Sequence, residues 1–289
     1  MIATSRANPR ALVLEARALR ELGERGVPVP KLLAEAPDWI IVEDVGSRRL
    51  SREINQRADL PVENVLDRCL GALSQAHEAG RLAGLDAVFD PLRAGRIEEL
   101  LQMIPVLASQ LGVEHPELDL DGLRATINLQ DTTFIKHSAL PSHTVLMDEP
   151  SPDARVVLID WQQAGPGDPL EDLVTLLGDE SLPDIPDIEG RLIERHLAAF
   201  GGAGRREALF ALGTLHVARR LVMILSFKGD DDWWDGDEAL ARDLPLVRAA
   251  AVTRLSLRGA RWAAASAATR SLAEWFQALG RVAITSRAD

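Results

Sequence analysis

Residues 134–173 read FIKHSALPSHTVLMDEPSPDARVVLIDWQQAGPGDPLEDL, and two apolar runs within them decide the fold. TVLMD (144–148) and VVLID (156–160) are rich in β-branched residues, and turn-forming residues at Glu149, Pro152 and Asp153 separate them. Such runs bounded by Pro and Asp are typical of short strands joined by a turn. The sequence therefore predicts a β-hairpin whose second strand ends at Asp160.

The same segment resembles two signatures of the aminoglycoside phosphotransferase and choline kinase family. VVLIDWQQAGPGDPLEDL (156–173) is similar to the family's metal-binding strand, usually close to LIDWExAxxGDPxxDLA, and Asp160 falls on the metal-binding aspartate. FIKHSALPSHTVLMD (134–148) falls where the family carries its catalytic loop, usually close to HGDLHPGNVLVD. The resemblance implies a protein-kinase-like fold, but the catalytic aspartate is absent from this loop.

Two further segments match the family in the expected order. GVPVPKLLAEAPDWIIVEDVG (26–46) looks like its "vPvP" turn, the strand before the hinge and the hinge, and ALSQAHEAG (72–80) is similar to its LAxLHxxG helix end. The resemblance spans roughly residues 12–177. It implies an α+β, protein-kinase-like fold of the aminoglycoside phosphotransferase type. A truncated, β-containing N-lobe and hinge would occupy residues 1–46, and a mostly helical C-lobe would occupy residues 47–289, with a catalytic-loop-like hairpin at 134–160.

Hydrophobic periodicity supports this order of elements. Apolar residues at helical spacing predict helices over residues 9–25, 60–80, 91–111 and 118–128, and a mostly helical chain after Leu170. KLLAEA (31–36) and WIIVEDV (39–45) predict two short strands. Breaks are expected at residues 201–204, which are rich in glycine, and at the acidic turn 229–237.

The catalytic loop can be aligned with the family in two ways. Alignment on His137 and Asp148 puts Ala139 at the base position and Thr144 at the position of the metal-binding asparagine. Alignment on LPSH (140–143) puts Lys136, Ser138 and His143 at the positions of the family's histidine, aspartate and metal ligand. Neither alignment supplies a carboxylate, and serine is a poor general base unless it is itself activated. The degenerate catalytic positions are thus Lys136, His137, Ser138 and Ala139.

The N-terminal segment also departs from the family. Glu15 is the natural partner of the family's strand lysine, yet no lysine precedes it and the only cations there are Arg6 and Arg10. Arginine is a planar fork rather than a compact charge, so it is not an equivalent replacement. The segment before Glu15 is also short for a phosphate-covering hairpin and a third strand. The alternative is that Glu15 is simply a solvated helix charge.

The resemblance also implies where ligands would bind. Nucleotide binding is expected at the hinge residues Glu43 and Val45 and at the loop residues His143 and Thr144, and metal binding at Asp160. The family's C-terminal lobe supplies acidic groups for cationic substrates, so the run GDDDWWDGDE (229–238) is a candidate substrate lip: Asp230, Asp231, Asp232, Trp233 and Trp234. The alternative is an exposed acidic loop anchored by its tryptophans.

Composition restricts the partners. The chain has 289 residues, a net charge of −12 and a pI of about 5.0, which argues against nucleic acid as a partner. Its single cysteine, Cys69, lies in an apolar run and is expected to be a buried thiol. No signal peptide or membrane span is evident, so a cytoplasmic location is expected.

Three functions compete. In the first, the chain is a pseudokinase that needs no cofactor and serves a protein partner or a small-molecule ligand, or associates into a homo-oligomer. In the second, it is an atypical ATP- and Mg²⁺-dependent small-molecule phosphotransferase that uses Asp160 and His143. In the third, an enzyme of another reaction class reuses the cleft of the C-lobe. The independent losses of base, lysine and phosphate loop favour the first.

Overall fold

The computed structural model describes residues 1–6, 8–89, 96–130, 133–147, 155–229, 231–235, 239–240 and 245–285. The helices are α1 (Pro9–Glu24), α2 (Leu50–Gln56), α3 (Val62–Leu82), α4 (Arg96–Leu101), α5 (Met103–Leu111), α6 (Leu120–Ile127), α7 (Leu170–Leu177), α8 (Pro186–His196), α9 (Arg206–Lys228), α10 (Ala249–Ala264) and α11 (Leu272–Thr285). The strands are β1 (Ile2–Thr4), β2 (Leu32–Ala36), β3 (Trp39–Val42), β4 (Thr133–Ile135), β5 (Thr144–Leu146), β6 (Val156–Leu158) and β7 (Gly165–Gly167).

The N-terminal part is a small antiparallel sheet with one helix. The strand order is β1-β3-β2, with Ile2 opposite Val42 and Ala36 opposite Trp39. Strands β2 and β3 confirm the prediction from KLLAEA and WIIVEDV, whereas β1 was not predicted. Helix α1 begins after Asn8, whose side chain accepts a hydrogen bond from the Arg10 amide, with Pro9 at its first position.

The predicted hairpin is present. Strands β5 and β6 pair antiparallel with Thr144 opposite Leu158, and the turn predicted at residues 149–153 lies outside the described residues. A second pair, β4 and β7, was not predicted; it puts Phe134 opposite Pro166 and so joins the catalytic-loop segment to the GPG segment. The two pairs hold the loop between residues 136 and 143.

The prediction of one continuous helix over residues 91–111 is wrong. The structure has two helices, α4 and α5, with a break at Gln102, and residues 91–95 are outside the described part. Pro105 explains the break, because proline has no amide hydrogen to donate to the carbonyl of Leu101 and its ring disfavours helical continuation. The predicted helices around α1, α3 and α6 are confirmed within two residues at each end.

Internal contacts divide the chain into two compact units. The first unit comprises residues 1–92, 130–173 and 191–201, and the second comprises residues 93–129, 174–190 and 202–289. This division is based on contacts, whereas the lobe boundary at residue 46 follows from the family resemblance and stays a prediction.

Helix α9 forms the core of the second unit. Among the described residues it is the one helix whose length and composition would suit a membrane span. However, 78% of its most apolar window is buried inside the protein, as in the core helix of a globular domain. Length and composition are therefore weak evidence for a span here.

Candidate functional site

Lys136 is the buried centre of the loop between β4 and β5. Its side chain is 0% exposed, and its Nζ donates to the carbonyl oxygens of Ser138 (2.9 Å) and Asp160 (2.8 Å) and to Ser138 Oγ (3.2 Å). Three acceptors match the three hydrogens of an ammonium group. Lys136 therefore ties the catalytic-loop segment to the end of the hairpin strand.

The environment of Lys136 lowers its affinity for a proton. Burial lowers the pKa of Lys136 to about 8, although the carboxylates of Asp160, Asp172 and Glu15 oppose the shift. Its Nζ also lies 5.5 Å from the ring centroid of Trp161, within range of a cation–π contact. Below its pKa the side chain remains a cation, so near pH 7 it acts as a hydrogen-bond donor.

The geometry brings together the residues of the LPSH alignment. His143 ends a 3₁₀ turn (Pro141–His143); its Nδ1 lies 3.0 Å from the carbonyl oxygen of Ser138, and its Nε2 lies 3.3 Å from Asp160 Oδ2. In the other alignment, Ala139 and Thr144 are 3% and 2% exposed. Thr144 contacts the Cys69 thiol, and burial raises the pKa of that thiol to about 12. Cys69 is thus the buried thiol that its apolar run predicts.

His137 adopts an unusual backbone conformation. Its φ is +59°, and its Nε2 donates to the carbonyl of Pro166 at 3.1 Å. A positive φ is uncommon for residues other than glycine. In the LPSH alignment this position corresponds to the family's glycine. His137 adopts the positive φ that a glycine adopts easily, and its ring contacts β7.

Asp160 is the acidic centre of the cluster. It also has a positive φ, +61°, and such backbone strain is common at functional sites. Its Oδ1 accepts a hydrogen bond from Arg6 Nη2 at 3.3 Å, and its Oδ2 faces His143. The second strand of the hairpin is buried as predicted, but β6 ends at Leu158, so Asp160 lies two residues beyond it.

The expectation that Glu15 is a solvated helix charge is wrong. Glu15 is 4% exposed, and its two carboxylate oxygens accept from Arg6 Nε (2.9 Å) and Nη2 (3.0 Å). Burial disfavours the charge of Arg6, but the hydrogen bonds to Glu15 and the charges of Glu15 and Asp160 outweigh it and raise the pKa of Arg6. Arg6 is therefore the cationic partner of Glu15 in this chain. In the sequence, the signal for this pairing was that Arg6 is one of the two arginines before Glu15.

Asp172 fixes the start of the loop between β4 and β5 through a buried hydrogen bond. It is 0% exposed, and its Oδ2 accepts from the Lys136 amide (2.7 Å) and contacts His77 Nε2 (2.8 Å). Burial raises the pKa of Asp172, but the hydrogen bond and charge of His77 outweigh it, so the pKa is lowered. Asp168 accepts from the amides of Leu170 and Gln130. Both aspartates thus accept hydrogen bonds from backbone amides and hold the neighbouring segments in place.

The hinge residues do not join this cluster through their side chains. Val45 is buried with Val145 and Val157, next to Met147 and Ile159. Glu43 lines a cavity of about 450 Å³ between α3 and the β6 end of the hairpin, and its Oε2 accepts from the Lys31 amide at 3.3 Å. A role for the hinge in nucleotide binding therefore stays a prediction.

The candidate substrate lip belongs to the second unit, and Asp230 lies outside the described residues. Asp231 and Asp232 are exposed, whereas Trp233 and Trp234 are half-buried. Lys228 Nζ lies 5.5 Å from the Trp233 ring centroid, and the Trp234 amide donates to the Val247 carbonyl at 3.1 Å. These contacts agree with the alternative of an acidic loop anchored by tryptophans, and substrate binding there stays a prediction.

Comparison with known proteins identifies the family. The model of the phosphotransferase enzyme family (APH) matches residues 1–210, which is more than half of the chain. The chain belongs to this family, and its α+β architecture agrees with the predicted fold class. No curated protein sequence matches the chain.

Solved structures of kinases are also similar. One is APH(2'')-IIa in a ternary complex with streptomycin and ATP, at 14% identity and a TM-score of 0.49, covering 80% of each chain. A second is APH(3'')-Id from Streptomyces rimosus with ADP and streptomycin, at 16% identity and a TM-score of 0.42, covering 74% of this chain and 85% of that one. A third is an ethanolamine kinase from Plasmodium vivax, at 11% identity and a TM-score of 0.46, covering 85% of this chain and 72% of that one.

Proposed function

We propose that this chain is a pseudokinase, a member of the phosphotransferase family that does not transfer phosphoryl groups. It would act by binding a protein partner or a small-molecule ligand, would require no cofactor and would work in the cytoplasm. Association into a homo-oligomer is compatible with this role, whereas nucleic acid is not an expected partner at a net charge of −12.

The chemistry at the base position carries the proposal. In the LPSH alignment Ser138 takes the place of the catalytic aspartate, and its Oγ lies 3.2 Å from the Lys136 ammonium. A hydroxyl that accepts from a cation is a weaker proton acceptor than a free one, since the cation stabilises its oxygen lone pair. Phosphoryl transfer to an alcohol needs a group that orients or deprotonates the attacking oxygen. Ser138 in this setting does not supply it.

The second candidate, an atypical small-molecule phosphotransferase, also has a supporting observation. Arg6, Glu15 and Asp160 form one hydrogen-bonded group, in which the family's cation–glutamate pair is kept with arginine in place of lysine. An enzyme of this kind would use Asp160 and His143 with ATP and Mg²⁺.

Turnover separates the two candidates. We expect the purified chain to show no ATP-dependent transfer to aminoglycosides, choline or sugars, measured as ADP release with each acceptor. Turnover that disappears in Asp160→Ala would overturn the proposal.

The variant Ser138→Asp restores a carboxylate at the base position. We expect it to remain inactive, because a carboxylate next to Lys136 would be held as an ion pair and the strand lysine would still be absent. Ala139→Asp is the matched variant for the other alignment. Both positions are buried, but only Ser138 lies next to the Lys136 ammonium, so Ala139→Asp is expected to be the more destabilising. Robust ADP release from a single restored carboxylate would contradict the proposal, because it would mean that the remaining residues suffice for catalysis.

A further inference from the structure

The family's nucleotide chemistry depends on Mg²⁺, so the fit of Asp160 and its neighbours to that ion is informative. Mg²⁺ prefers six oxygen ligands in near-octahedral geometry and keeps waters as well as carboxylates. Within the described ranges, no group of three His, Cys, Asp or Glu side chains is arranged to hold a metal ion. In the LPSH alignment His143, a nitrogen donor, stands at the family's metal-ligand position. The donor set is therefore a poor match for magnesium.

Both oxygens of Asp160 already face protein groups. Oδ1 accepts from Arg6 Nη2, and Oδ2 lies 3.3 Å from His143 Nε2. Arg6 is itself fixed by the buried Glu15 through two hydrogen bonds, so turning away from Asp160 would take two charged hydrogen bonds from a buried carboxylate, which also accepts from the Trp161 amide at 3.3 Å. A divalent ion at Asp160 would lie against a guanidinium of the same sign of charge, in a partly buried place where water screens little.

The orientation of His143 also disfavours magnesium at Asp160. Its Nδ1 faces the carbonyl oxygen of Ser138, which can only accept, so Nδ1 carries a hydrogen. Its Nε2 therefore faces the Asp160 carboxylate either with a proton or with a lone pair. A proton on Nε2 satisfies both atoms, whereas a bare lone pair would call for a metal that favours imidazole nitrogen over Mg²⁺. Magnesium is disfavoured in either case.

We infer that Asp160 is not a magnesium ligand in this chain but a shared anion that holds Arg6 and His143 in place. This inference rests on the proposed function, which it deepens: any nucleotide that enters this site does so without a divalent ion. The residues that bind metal and orient phosphate in the family are here converted into a closed group of hydrogen-bonded charges.

The first test compares the full-length chain with Asp160→Asn, a variant of the same shape without the charge. Mn²⁺ is the probe, added alone and with ATP, and its binding is read from the relaxation rate of water protons. We expect wild type and variant to give the same rate at millimolar ion, and the melting temperature with ATP to be the same in Mg²⁺ as in EDTA. Saturable Mn²⁺ or Mg²⁺ binding that Asp160→Asn removes would overturn the inference.

The second readout is stability without any ion. Removing a metal-binding carboxylate from an empty site leaves stability unchanged or raises it, whereas removing a shared anion takes away the charge that both Arg6 and His143 face. We expect the melting temperature of Asp160→Asn to fall by a few degrees in EDTA. An unchanged or higher melting temperature would contradict the counter-ion role. If the variant does not fold, the counter-ion role is supported, and the metal question is decided by titrating wild type against an EDTA blank.

These results are separable from the proposed function. ADP release without ion binding would overturn the pseudokinase assignment and leave the role of Asp160 intact. Ion binding at Asp160 without ADP release would overturn the inference about Asp160 and leave the pseudokinase assignment intact.

Discussion

Arg6 shows how one residue changes the chemistry of this site. Its guanidinium makes two hydrogen bonds to Glu15 and a third to Asp160, which a lysine ammonium would arrange differently because it lacks the planar fork. The bidentate pair also allows Glu15 to be buried as an anion. Compared with the compact charge of a lysine ammonium, the guanidinium of Arg6 connects Glu15 and Asp160 more rigidly.

The variant Arg6→Ala tests that connection. We expect it to lower the free energy of unfolding by about 1–3 kcal/mol, because the buried Glu15 loses charged hydrogen bonds. Arg20→Ala is the matched control: Arg20 lies on α1 and pairs with Glu35 at 2.7 Å, but both side chains are exposed, so the loss should be at most about 1 kcal/mol. Urea denaturation of both variants gives the comparison, and equal losses would show that the Arg6 pair is no stronger than a surface pair.

At the scale of elements, the packing of α3 against β4 positions the loop. Near its end α3 carries Gly80, where a Cβ atom would lie 2.2 Å from Cδ1 of Phe134 on β4. Phe134 in turn stacks on Trp161, with ring centroids 6.1 Å apart. This close approach fixes the position of β4. The loop from Lys136 to His143 begins directly after β4, so its start is fixed as well.

Two glycine-to-alanine substitutions on α3 should therefore have opposite effects. Gly80→Ala inserts a methyl group into the Phe134 ring and should destabilise the protein by about 1–3 kcal/mol. Gly71→Ala meets nothing within 4 Å and should stabilise it by up to about 1 kcal/mol, because alanine favours a helix. Thermal denaturation gives both values, and stabilisation by Gly80→Ala would mean that α3 and β4 are not in close contact.

At the scale of the whole molecule, buried charges set how stability depends on pH. In the second unit Glu180 accepts from Arg220 Nε at 2.6 Å, whereas Asp179 lies farther from the same guanidinium, at 3.7 Å from Nη2. Burial and the neighbouring Glu180 charge raise the pKa of Asp179 to about 6, against an ordinary value of 3.8. The folded protein therefore binds the Asp179 proton more tightly than the unfolded chain does.

The sign of the effect follows from that difference. A carboxyl with a raised pKa stabilises the fold below its unfolded value, and the stabilisation is lost as pH rises through its folded value. Between about pH 4 and about pH 7, we expect the stability of wild type relative to Asp179→Asn to fall by about 2–3 kcal/mol. Asparagine can still accept from Ser181. Urea unfolding followed by tryptophan fluorescence measures the difference at each pH, and a constant or rising difference would contradict the assignment.

Much of the fold was predictable because its signals are local. The hairpin around Asp160, the strands β2 and β3 and the helices α1, α3 and α6 each have their own periodicity or turn residues. Strands β5 and β6 are equally short, but longer apolar runs and the turn residues between them indicated them. Strands β1, β4 and β7 have no such flanking signals and were missed. The break before α5 was missed because the apolar periodicity continues across Gln102 while Pro105 interrupts the hydrogen bonds.

By itself, the sequence indicated the family, the order of most helices and of the hairpin, and a catalytic-loop segment that supplies no carboxylate in either alignment, because these are properties of residue type at fixed spacing. Only the tertiary structure decided which of these residues lie in contact. Arg6 and Asp160 are 154 residues apart, and their contact depends on α1 and β6 both packing against α3. The same packing places His143 Nε2 3.3 Å from Asp160 Oδ2 and Ser138 Oγ 3.2 Å from the Lys136 ammonium. It therefore favours the LPSH alignment, which stays a prediction. Burial then made Glu15 a partner of Arg6 rather than a surface charge.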